Sequence, residues 1–503
     1  MLDQSFSESN FNLIFLKENR RGNIKKRLLN QEYFDMHERF KSVLDEKNQL
    51  KNSRTERALS IEELDFYAER LEGINKAKEE IRNNLFSDYS NIINDEKNPF
   101  CFDIKYDKEN KIYITKKDGT HFFAIKQLQK NLSKTFKVFQ ADRNKIVKQT
   151  YNLISDGFPK VIIRTDIHKF YESIPQDKLF EIMKDNTLLS PLSKKLLKRL
   201  FFEFERIKDT AIMLPRKGIP RGLGFSAGLS ELYMREIDNE IKSLPDIIYY
   251  ARYVDDIIAV FSPKTKSQNQ DYQLQIKEII SRNELEINDN LEGRKDKTKK
   301  IELFYDKSKN KTFNEIYSLT FLGYIFNITH YPKGAATFPK TSVKMEISEE
   351  RQLRYKERIV ESISCYNCDS RYNEKLARKL LFDRIKFLAG NYHLNHSKKN
   401  ISAGIYYTNK MLELTGHETS MEKINESFHI ALEDLSPPVK IGINVNILKE
   451  FIKNKFCFEK GFAEKQKNFY SFKFSPYEQR HYNKKFKRVT NKFEVIKSIW
   501  KNE

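Results

Sequence analysis

The sequence predicts an α+β fold in which a strand-rich middle is segregated from helical ends. Apolar residues recur at three- and four-residue spacing before about residue 95 and again from Ser348 onward, the period of amphipathic helices. Between these stretches, short runs of β-branched and aromatic residues are punctuated by Gly, Pro and Asp, the pattern of strands joined by turns. A third observation marks the centre. Asp255-Asp256 stand between the apolar runs Ile247–Ala251 and Ile257–Phe261, with nothing to break a strand on either side. The simplest geometry there is a β-hairpin with the Asp pair at its tight turn.

The chain has 503 residues and a net charge of +21, with 32% charged and 39% hydrophobic residues. That length supplies roughly two to four domains and ample core. Basic residues recur throughout, which argues for a polyanionic partner. Nucleic acid is favoured over a membrane, because no basic amphipathic anchor, lipidation motif or apolar run of spanning length is evident. Aromatic residues make up 13% of the chain and offer planar surfaces for bases, although most of them serve a core. The cysteines Cys101, Cys365, Cys368 and Cys457 are too few for a disulfide framework, and Met1-Leu2-Asp3-Gln4 does not open a signal peptide. A cytoplasmic protein is expected.

Residues 1–95 read as an N-terminal helical extension of two or three helices, over Asn23–Lys47 and Ile61–Asn84, with Ser60 and Glu63 spaced as a capping box. Arg20-Arg21 and Lys25-Lys26-Arg27 are a solvated helix face or a nucleic-acid contact. From residue 96 strand character takes over. Lys111–Thr115 and His121–Ile125 bracket Lys116-Lys117-Asp118-Gly119, and Asp-Gly is a hairpin turn. The lysines of this hairpin, with Lys137 and Arg143, would lie over a template strand or a triphosphate, or are exposed on an edge strand. Phe136–Phe139 leads into a helix over Arg143–Ser155.

A buried strand, Lys160–Asp166, ends in an aspartate, and a short turn delivers Phe170, Tyr171 and Ile174 inward. Two adjacent anions at a hairpin tip are costly to bury without a cation, usually divalent magnesium. Asp166 supplies the third carboxylate that a two-ion phosphoryl-transfer site needs. Taken alone, the Asp pair reads equally as a solvated turn. Tyr171 would lie near the sugar of a nucleotide, where a bulky ring obstructs a 2′-hydroxyl; otherwise it is a core aromatic. Within Pro215–Tyr233, Gly218, Gly222, Gly224 and Gly228 permit close backbone approach to a ligand before a helix with small residues on one face. The tract lacks the Gly-Lys-Ser/Thr ending of a P-loop. Leu285–Asn288, Lys295–Lys300 and a short strand over Thr320–Phe326, bent at Gly323, follow.

In this order the tracts resemble the motifs of reverse transcriptases. Asp166 with Phe170-Tyr171 resembles motif A, and Ile219-Pro220-Arg221-Gly222 with Phe225-Ser226 resembles motif B. Tyr253-Val254-Asp255-Asp256 is similar to motif C, Leu285-Glu286-Ile287-Asn288 with Lys297-Thr298 to motif D, and Phe321-Leu322-Gly323-Tyr324 to motif E. The resemblance implies a right-hand polymerase fold, with fingers and an antiparallel palm sheet over residues 96–335. An α-helical, repeat-like domain over residues 336–455 then replaces a simple thumb. It implies that Asp166, Ile167 and Asp255 hold magnesium, or manganese in its place, with Asp256 completing the site. It further implies dNTP contacts at Tyr171, Arg143, Phe225 and Ile167, and Lys297 as the acid for departing pyrophosphate.

Within that family, Asp166-Ile167-x-x-Phe170-Tyr171-x-Ser173-Ile174 and Phe225-Ser226-x-x-Leu229-x-x-Leu232-Tyr233 are most similar to the bacterial defence-associated, abortive-infection enzymes. Retron and group II intron enzymes are neighbours. No maturase-type DNA-binding tail and no His-Asn-His nuclease pattern is evident. The defence branch includes members that make DNA without a conventional template or primer, members primed by a protein tyrosine, and members with a non-coding RNA partner or forming homo-oligomers.

From Ser348 five tandem helices are expected, over Leu353–Ile363, Leu376–Leu388, Ile401–Leu414, Met421–Leu432 and Val445–Phe456. Cys365, Cys368, His393 and His396 are paired as zinc ligands would be, or are polar residues of two loops. The tail, residues 456–503, interleaves rings and bases, which suits single-stranded nucleic acid or a basic segment packed on the helices. The expected function is a magnesium-dependent, reverse-transcriptase-class DNA polymerase in antiviral defence, with dNTPs, an RNA template or non-coding RNA, and a DNA product as partners. One rival is an RNA polymerase of the same palm class, which would favour a polar group at position 171. The other is a catalytically degenerate RNA-binding scaffold, against which three aspartates facing a polyanion argue.

Overall fold

The computed structural model describes residues 2–20, 23–53, 59–208, 216–264, 270–289, 297–304, 315–331, 340–396, 399–436 and 444–464, with the main chain alone at 340, 392–396 and 399–401. It divides into two compact units, one of residues 1–140 and 169–236, the other of residues 141–168 and 237–503.

The first unit opens with three helices, α1 (Glu8–Arg20), α2 (Gln31–Ser53) and α3 (Ile61–Asn94). The capping box is present: the Ser60 hydroxyl accepts from the Glu63 amide at 3.2 Å and the Glu63 carboxylate from the Ser60 amide at 2.9 Å. Three boundaries differ from expectation, the end of α2 at Ser53 among them. Residues Lys26–Leu28 form a separate 3-10 turn, so α2 starts at Gln31, and α3 continues to Asn94. The unforeseen α1 buries Phe11, Ile14 and Phe15 at helical spacing, with Phe11 against Phe86 and Phe123.

The Asp118-Gly119 hairpin is not formed. Asp118 is instead the N-cap of α4 (Gly119–Phe136), its carboxylate accepting from the His121 amide at 2.9 Å. His121, Ala124, Ile125, Leu128 and Leu132 are buried at helical spacing, and this apolar stripe outweighs the local turn signal. The hairpin lies one element earlier, where β1 (Ile104–Asp107) pairs antiparallel with β2 (Ile112–Thr115). Of its expected lysines, Lys116 lies 3.4 Å from Asp118, and Lys126 lies 3.3 Å from Glu18 on α1.

The chain then enters the second unit through α5 (Arg143–Ser155), capped by Asp142, and β3 (Lys160–Asp166). It returns to the first unit for α6 (Phe170–Ser173), α7 (Gln176–Asp185) and α8 (Pro191–Ile207), and the Gly-rich tract leads into α9 (Ser226–Lys242). That tract packs tightly because Gly222 has φ +104° and a Cβ there would meet the Tyr113 carbonyl at 2.9 Å. Pro215 lies outside the described residues.

Next in the second unit come a four-stranded and a three-stranded antiparallel sheet. In the first, β4 (Ile247–Tyr253), β5 (Asp256–Phe261) and β6 (Lys299–Leu303) join β3 in the order β4-β5-β3-β6, and α10 (Tyr272–Arg282) follows β5 in sequence. Val161, Ile162, Ile163 and all of Ile257–Phe261 are buried, which explains why the two middle strands read as unbroken apolar runs. The second sheet is β7 (Glu315–Phe321), β8 (Tyr324–Tyr331) and β9 (Lys340–Ile347). Thr320–Phe326 is therefore a hairpin rather than one bent strand, turning at Leu322 and Gly323 with φ +47° and +74°.

The C-terminal part of this unit is α11 (Glu349–Ala389), β10 (Asn391–His396), β11 (Lys399–Gly404), α12 (Ile405–Thr408), α13 (Glu418–Glu433), α14 (Val445–Lys455) and α15 (Phe458–Ala463). The first two expected helices are one element, broken only by non-helical backbone at Asn373. The expected helix over Ile401–Leu414 is not formed: β11, α12 and a 3-10 turn over Lys410–Leu414 occupy it. Gly404 at φ +128°, whose Cβ would meet the Gly390 carbonyl at 2.3 Å, ends the strand and starts the helix. A tandem helical array is thus interrupted by a β-hairpin. Phe428 of α13, Ile359 of α11, Phe326 of β8 and Ile258 of β5 share one apolar cluster. Residues 465–503, most of the ring-and-base tail, lie outside the described residues. Among the described residues no helix is long and apolar enough to cross a membrane.

Candidate active site

The three aspartates meet through strand register. β3 pairs with β5 so that Asp166 stands opposite Asp256, and β4 pairs with β5 so that Tyr253 stands opposite Asp256. The turn is therefore Val254-Asp255: Asp255 occupies the tip, and Asp256 is the first residue of the returning strand rather than part of the turn itself. The Ile167 amide donates to the Asp255 carbonyl at 3.1 Å. On its other side Ile167 bridges Ile287, through bonds from Asn288 to the Asp166 carbonyl and from His168 to the Glu286 carbonyl. In such an antiparallel bridge both main-chain groups of Ile167 face the Asp255 side.

Cations of the chain itself hold these carboxylates. Asp166, 2% exposed, accepts from Lys297 Nζ at 2.6 Å on one oxygen and from Asn288 Nδ2 at 2.7 Å on the other. Asp256 accepts from Arg164 Nη2 at 2.6 Å, and Arg164 Nη1 donates to the Lys297 carbonyl at 2.5 Å. Burial lifts the carboxyls of both Asp255 and Asp256 above the ordinary range, and repulsion from Asp166 adds to this at each. At Asp256 the Arg164 charge opposes the rise. Burial pulls the Lys297 ammonium down, but the hydrogen bond and charge of Asp166 prevail and hold it above its ordinary value.

Among the described residues no three His, Cys, Asp or Glu side chains converge closely enough to enclose an ion as they stand. The donor set nevertheless fits a hard divalent cation. It offers carboxylate oxygens, two of its groups are made unfavourable as anions by burial and like charge, and its compensating cations are the withdrawable arms of Lys297 and Arg164.

A cavity of about 610 Å³ opens beside Tyr253, Asp255 and Asp256, bounded across from them by Gly323 and by Arg354 and Arg358 of α11. Arg143 belongs to this wall. Its guanidinium donates to the Leu322 carbonyl and lies 5.7 Å from the Tyr324 ring centroid, a ring it shares with Arg351 at 4.8 Å. Tyr171 and Phe225 belong to the first unit. Tyr171 is half-buried on α6, its ring 5.5 Å from that of Phe170, and its carbonyl accepts from the Ile219 amide of the Gly-rich tract. Phe225 is buried, so its ring is a core group.

The paired Cys and His residues are not in two loops. Cys365 and Cys368 lie on α11, and His393 and His396 on β10, where their side chains are outside those described. Burial pushes the Cys365 thiol up to about 11, which disfavours the thiolate a zinc site needs.

Sequence reasoning passed over Arg164 and the pair Arg252–Asp238, and named Asn288 only as part of a tract. Arg164 was findable, since it stands two residues before Asp166 on a strand and so shares its face. Arg252 Nε and Nη2 each donate to Asp238 at 2.9 Å, and Nη1 donates to the Val254 carbonyl at 2.8 Å.

Residues 114–326 match the family model described as reverse transcriptase (RNA-dependent DNA polymerase). They form a reverse-transcriptase domain. Such a domain is that of an RNA-directed DNA polymerase, a nucleotidyltransferase, and the fold is accordingly the α+β fingers-and-palm class. The reverse-transcriptase domain runs from β2 into β8, takes in Asp166, Asp255, Asp256 and Lys297, and leaves α1–α3 and α11–α15 outside. No curated protein matches the chain. Among solved structures it is similar to telomerase from Candida albicans in complex with a TWJ fragment of telomeric RNA, at 13% identity and a TM-score of 0.26. The alignment covers 74% of this chain and spans 56% of that one.

Proposed function

We propose that this chain is a DNA polymerase of the reverse-transcriptase class, joining a hydroxyl to the α-phosphate of a dNTP with release of pyrophosphate. The observation that supports it most is the strand register that sets Asp166 opposite Asp256, with Asp255 at the adjoining turn, inside the matched domain. Magnesium, held by Asp166, Asp255 and the Ile167 carbonyl with Asp256 beside them, would neutralise triphosphate charge and sharpen the attacking hydroxyl. Lys297 and Arg164, now paired to the carboxylates, are the nearby cations available to a departing pyrophosphate. Lys297 Nζ retains its proton at neutral pH and is the acid for that departure. Tyr171 is the residue by which deoxynucleotides are preferred. The template is RNA, and the net charge of +21 suits that partner.

The setting we infer is antiphage defence in a bacterial cytoplasm, supported by the likeness of the Asp166–Ile174 and Phe225–Tyr233 tracts to the defence-associated branch. Priming by a protein tyrosine and assembly of copies rest on the same likeness.

The test is incorporation of labelled nucleotides by the purified protein with magnesium. Each dNTP and each NTP is supplied, with and without a primed RNA template, beside an Asp255→Ala/Asp256→Ala variant. The expected result is dNTP incorporation that falls at least ~10³-fold in the variant, as loss of several kcal/mol of charge stabilisation requires. Incorporation of NTPs alone sinks the deoxynucleotide reading. No incorporation, even with co-purified RNA or a primed template, replaces the polymerase by an RNA-binding scaffold.

A further inference from the structure

Val254 has φ +61°, a left-handed conformation that a β-branched side chain adopts only under constraint. A two-residue hairpin turn needs positive φ at this position, where Gly, Asn or Asp is usual. The constraint is visible two residues earlier. Arg252 is almost wholly buried, with its side chain 3% exposed, and its guanidinium reaches forward along the chain to the Val254 carbonyl. It is itself oriented from behind by Asp238 of α9, which accepts from both Nε and Nη2 in a bidentate fork. Tyr250, two residues upstream on β4, donates its hydroxyl to the same Asp238 at 2.7 Å. A buried ion pair gains little stability over a well-packed apolar pair, so its presence beneath a strained turn calls for another reason.

We propose that Arg252, oriented by Asp238 and Tyr250, is a positioning residue that holds Val254 in its left-handed conformation and so fixes Asp255 against Ile167. The proposal rests on the polymerase reading for its consequence, but not for its geometry. Without the Arg252 contact the turn relaxes, Asp255 drifts from Asp166 and Asp256, and the divalent ion is held more weakly. A residue of this kind changes turnover more than substrate binding, because it touches neither nucleotide nor template. It also makes a second prediction that a purely structural ion pair does not. Glycine adopts positive φ without strain, so Val254→Gly restores the turn when its support has been removed.

The test compares wild type, Arg252→Gln/Asp238→Asn, Val254→Gly and the triple variant. The paired substitution avoids leaving one buried charge alone. Manganese affinity is read by electron paramagnetic resonance, and kcat and KM for dNTP by incorporation. The paired variant is expected to bind manganese about 10-fold more weakly and to lose about 10- to 100-fold in kcat, with KM within about twofold. Val254→Gly added to it should recover most of both losses. Should the paired variant fail to fold, Tyr250→Phe takes its place, with the same direction, a smaller loss and the same recovery by Val254→Gly. A paired variant, or Tyr250→Phe in its place, that binds manganese as wild type does, or losses that Val254→Gly leaves untouched, overturn the proposal. A wild-type chain that binds manganese but incorporates nothing refutes the polymerase reading alone, and the affinities still decide the role of Arg252. A wild-type chain that binds no manganese overturns both.

Discussion

Gly323 offers the sharpest quantitative prediction, because its replacement strikes the turn and the arginine wall together. It lies in the β7–β8 turn at φ +74°, and a Cβ there would meet Arg351 Nη2 at 2.3 Å and Arg143 Nη2 at 2.8 Å. Gly323→Ala first incurs the left-handed penalty of an L-residue, about 1 to 2 kcal/mol. The new methyl must also displace two guanidinium groups. Arg351 Nη1 donates to Asn409 Oδ1 at 3.1 Å, and both arginines lie against the Tyr324 ring. Losing one charged hydrogen bond and one ring contact costs about 2 to 3 kcal/mol. The expected total is about 3 to 5 kcal/mol, the lower end applying if an arginine swings into the cavity instead. Urea unfolding measures it, and a cycle with Arg351→Ala separates the two parts. In the Arg351→Ala background the methyl meets only Arg143 and the Arg351 hydrogen bond is already gone, so Gly323→Ala should cost about 2 kcal/mol less. A cost below about 0.5 kcal/mol for Gly323→Ala, or strict additivity in the cycle, would refute this account of the turn.

Because burial and like charge raise the Asp255 and Asp256 carboxyls, their ionised forms weaken the fold of the metal-free protein. The favourable contribution of such a group is complete below its unfolded pKa, near 3.8, and is lost as pH rises through the raised folded value. Asp255→Asn should therefore stabilise the metal-free chain at neutral pH, with the advantage vanishing toward pH 3.8, as thermal unfolding across pH will show. Tyr171→Ala should lower dNTP-over-NTP discrimination by about 10- to 200-fold, read from the ratio of kcat/KM values; unchanged discrimination places the sugar elsewhere. Ser60→Ala removes the cap from α3 and should cost about 1 kcal/mol in urea unfolding, with incorporation unaltered.

Local signals were legible where one physical effect acts alone. The hydroxyl and carboxylate of Ser60 and Glu63 cap α3 because the spacing itself brings them to the orphan amides. Arg143–Ser155 forms the helix expected over those residues, and the structure adds Asp142 as its cap. The hairpin around Asp255 followed from two flanking apolar runs, since strands buried on both faces need no alternation. Asp118-Gly119 misled because the same dipeptide serves a turn or an N-cap, and burial of the following stripe over α4 decided for the cap. Ile401–Leu414 misled for the converse reason, its period broken at Gly404, which stands at positive φ and has no room for a Cβ beside the Gly390 carbonyl.

The sequence by itself therefore carried the likeness to a reverse-transcriptase domain, together with the order of Asp166, Asp255 and Asp256 and the motifs around them. Such information survives in one dimension because it depends on residue type and spacing. What only the tertiary structure decided is how those anions are held. Lys297 lies 131 residues from Asp166, Arg164 reaches across a strand to Asp256, and Arg252 turns back to its own hairpin while gripping Asp238. Apart from the contact of Arg252 with Val254, none of these partners is specified by local spacing. A buried charge is stabilised by whichever opposite charge the folded chain brings within a few ångströms, and that choice is made by strand register and packing.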